Sequence, residues 1–363
     1  MTAVAELCDD LRRLVERESP SEDAGATAAC ADSVCELSSR RLGVEPQAIV
    51  VDGRVHLLWQ FGAPRVLLLG HLDTVWPTGT IEGWPFALQG DRATGPGAFD
   101  MKAGLVQLFE ALTLLGDRDG VAVLVTSDEE VGSTTSRQLV EQTAEGLDAV
   151  LVLEPSAGGA LKTARKGVGS FRIDVLGRAA HAGLEPERGV NATIEVAHQA
   201  LAAADLADPA RGTTVTPTVL TAGTTINTVP DRASLSVDVR ATTMAEMRRV
   251  QEGLGGLSAV LADARVEVVE VSVRPPLEEA VSADLFDRAR FHAERLGFGP
   301  LSAVAVGGGS DGNFTAALGV PTLDGLGAVG DQAHAPGEWV SVPEMPRRAA
   351  LVAALVDELR QRR

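Results

Sequence analysis

Several apolar runs of the sequence are followed at once by a histidine or a carboxylate. His71 and Asp73 follow "RVLLLG", Glu129 and Glu130 follow "VAVLVTSD", and Glu154 follows "AVLVL". Burial explains a strand made of Val and Leu, but it does not explain polar groups placed where that strand must surface. Such groups emerge on the same side of a sheet when their strands run parallel. We therefore expect them to lie close together.

Two loops add a further acid and a further histidine to this set. Asp100 lies in "GPGAFDMKAG" and His334 lies in "DQAHAPGEW". Imidazole and carboxylate groups suit Zn²⁺, and one carboxylate can bridge two ions about 3.5–4 Å apart. Two histidines and three carboxylates are what a zinc pair requires. The alternative is that these are unrelated loop residues, because each of them taken alone has an ordinary explanation.

The neighbouring acids Glu129 and Glu130 are informative because two adjacent carboxylates repel each other. Beside a pair of dications, one of them can bind metal while the other acts as a base toward a bound water. A solvated acidic turn after the strand is the alternative. Asp73 lies two residues beyond His71, close enough to accept the second N–H of the ring and hold its tautomer.

Length and charge restrict the class of protein. The chain has 363 residues, with 32 Lys and Arg against 50 Asp and Glu, a formal net charge of −18. The length predicts two domains. An acidic surface repels phosphate groups, so we expect neither nucleic acid nor a membrane as a partner. We find no signal peptide, no apolar run of about 18 residues and only three cysteines, and we expect a cytoplasmic protein with reduced thiols.

The order of the predicted elements gives an α/β fold with an insertion. Buried strands alternate with helices in the first part, which indicates a mixed sheet covered by helices on both faces. Residues 165–278 change to a β-α-β-β-α-β order, that of a ferredoxin-like domain, in which the second helix is predicted over 243–264. The alternation then resumes. We therefore predict a larger domain of residues 1–164 and 279–363, into which residues 165–278 are inserted as a smaller domain.

The motifs resemble, in order and spacing, the di-zinc aminoacylase and carboxypeptidase family of metallopeptidases. That family includes acetylornithine deacetylase and succinyl-diaminopimelate desuccinylase. The resemblance covers nearly the whole chain and is closest to the folate-hydrolysing glutamate carboxypeptidase branch, which shares the "GPG" before Asp100. It rests on "GHLDTV", "GPGAFDMKAG", "TSDEEVGS", "EPS", "HAG" with "GVNA", "INTVPDRASLSVDVR" and "GGGSD".

The resemblance implies a zinc-peptidase-like catalytic domain and a role for each of the residues described above. Two Zn²⁺ ions per chain are expected, and Co²⁺ or Mn²⁺ could replace them. By position, His71 and Glu154 bind one zinc, Glu130 and His334 bind the other, Asp100 bridges them, Glu129 is the general base and Asp73 orients His71.

The resemblance also implies that 165–278 is a dimerisation or lid domain, and that it carries a further catalytic residue and all but one of the substrate-binding residues. His181 in "RAAHAG" would stabilise the oxyanion, usually from a partner subunit, and Asn227 with Arg240 would hold the substrate's free carboxylate. Arg274 in "VRPP" is a second cation for a side-chain carboxylate or a hinge residue. Gly308 lies in a loop whose backbone would approach the substrate. Because the family usually supplies the residue at the position of His181 from a partner subunit, a homodimer is expected.

The sequence thus predicts zinc-dependent hydrolysis of an amide bond next to a C-terminal amino acid, in a small N-acyl amino acid or a short peptide. An N-acyl-amino-acid deacylase with the same metal site is the main alternative. A scaffold that has lost catalysis is less favoured because all five ligand positions are filled. Nucleotide binding through the G-x-G-x-x-G match in "VAVGGGSDG" is disfavoured, because no acidic strand end follows about 20 residues later.

Overall fold

The computed structural model describes residues 3–361. The α-helices are α1 Ala3–Val15, α2 Ala24–Leu42, α3 Thr80–Gly83, α4 Ala103–Leu114, α5 Arg137–Ala144, α6 Ala192–Ala204, α7 Met244–Gly255, α8 Glu279–Arg295, α9 Gly312–Ala317 and α10 Glu344–Arg360. The strands are β1 Gln47–Val51, β2 Arg54–Phe61, β3 Val66–His71, β4 Ala87–Gln89, β5 Arg92–Thr94, β6 Val121–Thr126, β7 Ala149–Val152, β8 Leu161–Arg165, β9 Gly167–Leu176, β10 Ala180–His181, β11 Thr214–Ala222, β12 Thr228–Val229, β13 Arg232–Ala241, β14 Arg265–Arg274, β15 Ala303–Val306, β16 Thr322–Leu323, β17 Gly330–Asp331 and β18 Trp339–Ser341. Among these residues, no helix has the length and apolarity needed to cross a membrane.

The chain divides into two compact units. The first contains 1–164, 279–305 and 310–363, and the second contains 165–278 and 306–309. The short segment 306–309 groups with the second unit, where Lys166 N donates to the carbonyl oxygen of Val306. The guanidinium of Arg165 donates to the carbonyls of Gly308 and Gly309.

A six-stranded mixed sheet forms the centre of the first unit, in the order β1-β2-β6-β3-β7-β16. The pairs of β3 with β6 and with β7, and of β7 with β16, are parallel, whereas β2 is antiparallel to both β1 and β6. The carboxyl ends of three buried parallel strands therefore meet at one edge of the sheet.

Helices cover both faces of this sheet because successive side chains of a strand point to opposite sides. In β3, Leu68 packs with helices α1, α2, α4 and α10 in one core, and its neighbours Leu67 and Leu69 pack with α5 and α9 in the other. All six residues of β3 are buried. Continuous Val and Leu runs follow from this two-sided burial, and the predicted α/β class is confirmed.

The second unit contains a four-stranded antiparallel sheet in the order β11-β13-β9-β14. With α6 and α7 inserted as the sequence predicts, this is the β-α-β-β-α-β ferredoxin-like order. Alternate residues of β9 and β13, such as Ile173 and Val237, form its core with Val196 of α6 and Val250 of α7. The ferredoxin-like prediction is thus confirmed.

Candidate active site

Parallel strand ends bring the predicted polar residues together in the first unit. His71 is the last residue of β3 and is in register with Thr126, the last residue of β6. Leu69 is in register with Val152 at the end of β7, so Glu154 emerges beside His71. Glu129 and Glu130 follow β6 in a single short 3₁₀ turn. Topology therefore dictates that these residues meet.

The Nε2 atom of each histidine lies near two carboxylates. His71 Nε2 lies 3.4 Å from Asp100 Oδ1 and 3.4 Å from Glu154 Oε1. His334 Nε2 lies 3.2 Å from Asp100 Oδ2 and 3.0 Å from Glu130 Oε1. Asp100 presents one oxygen to each histidine, which is the arrangement of a carboxylate that bridges two ions.

Glu129 also lies within this cluster. Ligand atoms of His71, Glu129 and Glu154 are all within 4.8 Å of one another, and the same holds for His71, Asp100 and Glu130. Glu129 is therefore close enough to contact a water or substrate held beside His71 and Glu154.

The chemistry of the cluster fits a pair of dications. His71 Nε2 and Asp100 Oδ1 are both buried and make no hydrogen bond. Buried polar atoms are normally satisfied, because leaving one unpaired costs about 1–3 kcal/mol. Four carboxylates close together would also repel one another without a cation. Two ions would satisfy the open atoms and the charge.

The pKa values of His71, His334 and Glu130 are also shifted by the carboxylates packed around the two imidazole rings. Contacts with Asp100 and Glu130 raise the pKa of His334 to about 10. Burial lowers the pKa of His71, but Asp100, Asp73 and Glu154 outweigh it and raise that pKa well above its ordinary value. Burial also raises the pKa of Glu130, and the nearby Asp100 adds to that effect. A cation that binds here must displace any proton that these imidazoles carry.

Asp73 holds the glutamate turn as well as the histidine. Its carboxylate accepts hydrogen bonds from Ser21 Oγ at 2.6 Å and from the backbone N–H groups of Glu129 and Glu130 at 3.2 Å. His71 Nδ1 lies 3.0 Å from the Asp73 carbonyl oxygen and 3.4 Å from its Oδ1. One side chain thus fixes the turn that carries both glutamates relative to the ring.

Glu338 is a residue of the site that the sequence did not reveal. Its fully buried carboxylate accepts hydrogen bonds from the backbone N–H groups of Phe99 at 2.7 Å, Asp100 at 2.8 Å and Gly97 at 3.1 Å, and from Trp76 Nε1 at 3.0 Å. Burial raises the pKa of Glu338 to about 7. The available signal was an acid four residues after His334 in a Gly- and Pro-containing loop.

Lys162 is a second residue that no motif marked. Its ammonium lies 3.8 Å from Glu154 Oε2. A lysine in the alternating strand "LKTAR" gave no sign of this contact, since such a residue usually faces solvent. Its charge offsets part of the repulsion among the acids.

Two of the predicted substrate-binding residues lie together at one end of the second unit's sheet. The β10–β12 ladder pairs His181 with Thr228, and Ala182 N donates to the Asn227 carbonyl oxygen at 2.9 Å. His181 is exposed, and its Nδ1 accepts a hydrogen bond from Gly183 N at 3.1 Å. In the neutral ring the proton is then on Nε2, which is free to donate to an oxyanion.

The predicted arginines lie at the other end of that sheet. Arg240 and Arg274 are both in register with Val168, one on each side of β9. Arg240 pairs with Asp238 at 2.9 Å. A side chain at Gly309 would meet Arg274 Cδ at 2.8 Å, whereas one at the predicted residue Gly308 would meet no atom within 4 Å. Arg240 lies eight residues after Arg232, the first residue of β13. The two ends of this strand are therefore separated by about 26 Å.

The chain is similar to known proteins over nearly its whole length. Residues 67–358 match the model of peptidase family M20/M25/M40. Carboxypeptidase G2 of Pseudomonas sp. (strain RS-16) is 32% identical over 369 residues, which cover 96% of this chain and 88% of that protein. Succinyl-diaminopimelate desuccinylase of Sulfurovum sp. (strain NBC37-1) is 28% identical, covering 78% and 81%. Among solved structures, aminopeptidase PepT of Bacillus cereus ATCC 10987 superposes with a TM-score of 0.76 at 24% identity over 98% of both chains, which shows the fold.

Proposed function

The chain is a member of peptidase family M20/M25/M40, and from this premise we propose that it hydrolyses an amide bond next to a C-terminal amino acid, as a zinc-dependent glutamate-type carboxypeptidase. The observation that carries the proposal is the meeting of His71, Asp100, Glu130, Glu154 and His334 around the shared carboxylate of Asp100. The 32% identity to carboxypeptidase G2 over 96% of this chain supports the choice of reaction.

Two zinc ions per chain are part of the proposal. His71 and Glu154 would hold one ion, Glu130 and His334 the other, and Asp100 both. When bound, the ions would lower the pKa of a water molecule and polarise the scissile carbonyl. Co²⁺ and Mn²⁺ accept the same donors, and availability decides among them.

Glu129 acts as the general base in this proposal. Its carboxylate takes a proton from the attacking water and returns it to the leaving amine, so that one residue serves both halves of the reaction. Asp73 fixes the backbone N–H groups of Glu129 and Glu130 and thereby sets where that carboxylate lies. His181 donates from Nε2 to the oxyanion, while Asn227 and Arg240 hold the free carboxylate of the substrate.

The separation of residues within the second unit supports a homodimer. His181 and Asn227 lie at one end of β13 and Arg240 at the other, so one chain does not bring all three to a single small substrate. We propose that one chain supplies His181 and Asn227 while the other supplies Arg240.

An N-acyl-amino-acid deacylase is the second candidate. The specific observation in its favour is the 28% identity to a succinyl-diaminopimelate desuccinylase, which covers 78% of this chain. Its metal site would be the same, and only the acyl group would differ.

The test is the Glu129→Gln variant compared with the parent enzyme on zinc-loaded protein. The variant should keep two zinc ions per chain, measured by elemental analysis, and lose at least about 1,000-fold in kcat, the upper part of the range for proton transfer. Substrates that end in glutamate should be cleaved fastest if the enzyme is a glutamate carboxypeptidase. Retained turnover in the variant would remove Glu129 from its role, and one-tenth or less of a zinc ion per chain in the parent would refute the metal site.

A further inference from the structure

A pocket of about 460 Å³ lies beside Glu130 in the first unit. Small-molecule sites typically have volumes of about 300–1,000 Å³. Residues of three segments form its walls, 20–23, 74–78 and 130–131. Because Glu130 belongs to the metal cluster, the pocket borders the candidate active site.

The walls of this pocket are held in place by hydrogen bonds. Thr74 N donates to the Ser19 carbonyl oxygen at 2.8 Å, and Ser21 N donates to that of Thr74 at 3.1 Å. Ser21 Oγ also donates to Asp73, which fixes the turn that carries Glu130. The pocket is thus formed before any ligand arrives.

The lining is largely apolar although it lies next to a highly charged cluster. Val75 is 42% exposed and Val131 is 37% exposed, and Pro20 and Pro77 lie beside them. Apolar side chains exposed together at a concave site are expected where an apolar ligand binds.

The charge of the pocket is negative. Glu22 and Asp23 line it together with Glu130, whose charge a bound cation would offset, and none of the lining residues that the structure describes is basic. The guanidinium of Arg54 donates to the Ser21 carbonyl oxygen, but Arg54 is not part of the lining. Like charges brought together at an interface disfavour binding.

We propose that this pocket receives the acyl half of the substrate and selects a neutral or cationic apolar group over an anionic one. The inference rests on the proposed function. Cleavage releases an amino acid with a free carboxylate, which the acidic rim would repel, so the acyl half is the part that fits here. An aroyl group or an aminoacyl group with its ammonium matches the lining. An acetyl group would leave most of the pocket empty, and a succinyl group would bring a second carboxylate against Glu22 and Asp23.

Three substrates with the same amino acid test this selection. We expect kcat/KM of the zinc-loaded enzyme to be about tenfold or more higher for N-benzoyl-glutamate than for N-acetyl-glutamate, since filling an apolar pocket gives factors of about 10–200. N-succinyl-glutamate should be the poorest of the three. A succinyl substrate cleaved as fast as the benzoyl one would overturn the inference.

A matched pair of charge reversals locates the effect in the pocket. Glu22→Lys should raise the ratio of succinyl to benzoyl kcat/KM about tenfold, because it removes one repulsive charge and adds an attractive one. Glu36→Lys makes the same change at an exposed position of α2 outside the pocket and should leave the ratio unchanged. An equal response of the two variants would assign the effect to overall charge and overturn the inference.

Binding of the acids alone separates this inference from the proposed function. Isothermal titration of benzoate and succinate into the zinc-loaded enzyme should show tighter binding of benzoate, whether or not any amide is cleaved. Tighter benzoate binding without hydrolysis of the three substrates would refute the proposed function and support the pocket assignment. Equal or tighter binding of succinate would overturn the pocket assignment even in an active enzyme.

Discussion

The two units of the chain differ in how they gather their polar residues. In the first unit, residues from 71 to 334 converge until two histidines lie 3.0–3.4 Å from their carboxylate partners. In the second unit, His181 and Asn227 lie at one end of a strand and Arg240 at the other.

The difference has a topological cause. Parallel strands place their carboxyl ends at one edge, so residues far apart in sequence meet there. An antiparallel sheet alternates its strand directions, so two loops that follow different strands can be separated by the whole strand length. In the function that we propose, the first unit holds the whole metal site, whereas the second unit holds two half-sites that need a second chain.

Removal of the Asp100 carboxylate, which both histidines share, is the strongest test of the proposed metal site in the first unit. Asp100→Asn leaves the backbone bonds to Glu338 but takes away the charge that both histidines face. We expect zinc content to fall below two per chain and kcat/KM to drop by about 1,000-fold or more, because both ions share this ligand. Asp91→Asn, an exposed acid outside the cluster, is the matched control for elemental analysis and kinetics. Full zinc content and activity in Asp100→Asn would mean that the residues meet without forming a metal site.

Mixing two inactive variants tests whether His181 and Arg240 of one active site come from different chains. His181→Ala and Arg240→Ala should each be nearly inactive alone. In a dimer of one variant with the other, one of the two sites receives a normal His181 from one chain and a normal Arg240 from the other. An equal mixture should then recover about a quarter of normal activity, since half of the dimers are mixed and half of their sites are intact.

The control for that experiment is a mixture of His181→Ala with Asn227→Ala. These residues lie together, so each site of a mixed dimer still lacks one of them and no activity should return. Recovery in this control, or none in the first mixture, would contradict the assignment of His181 and Arg240 to different chains.

The fold could be predicted from the sequence because the pattern of apolar and polar residues determines it. Continuous Val and Leu runs predicted the doubly covered sheet, and the β-α-β-β-α-β order predicted the second unit. The helix predicted over 243–264 ends at Gly255, because the consecutive glycines Gly255 and Gly256 lower helix stability. The identity of the family, which the ordered motifs predicted, is confirmed by the match over residues 67–358.

Only part of the candidate site could be predicted from the sequence. His71 and Glu154 follow buried strands, which is a local signal, but Glu338 is recognisable only through backbone N–H groups more than 230 residues away in the chain. Lys162 is marked only by its contact with Glu154. The pocket beside Glu130 is lined partly by residues 20–23 and 77–78, which lie outside every motif quoted above. Contacts of this kind depend on the folded arrangement of loops.

Loss of the Glu338 carboxylate should weaken the first unit's site without abolishing it. Glu338→Gln leaves one acceptor for the four donors that the carboxylate now serves and turns an amide NH₂ toward them. Residues that orient metal ligands typically change metal affinity by about 10–100-fold. We expect a loss of that size, measured by competition with a chelator, together with a changed absorption spectrum of the Co²⁺-loaded enzyme. Trp76→Phe removes one of the four bonds and should have a smaller effect on both readouts. Unchanged affinity and spectrum in Glu338→Gln, with reduced thermal stability, would assign Glu338 to the fold alone.

Proton release on metal binding is the smallest effect and reports on His334 directly. Without metal, contacts with Asp100 and Glu130 raise the pKa of His334 to about 10, so the ring carries a proton at pH 8. A metal ion binds the neutral imidazole and must displace that proton, so apparent affinity should rise with pH and level off above the raised pKa. Isothermal titration with Zn²⁺ in buffers of different ionisation enthalpy gives the number of protons released. His334→Gln should release about one proton fewer per chain at pH 8 than the parent. An equal release from both proteins would show that His334 does not change protonation when the metal binds. His334 would then not be a metal ligand, and His71 would be the one histidine left in the proposed site.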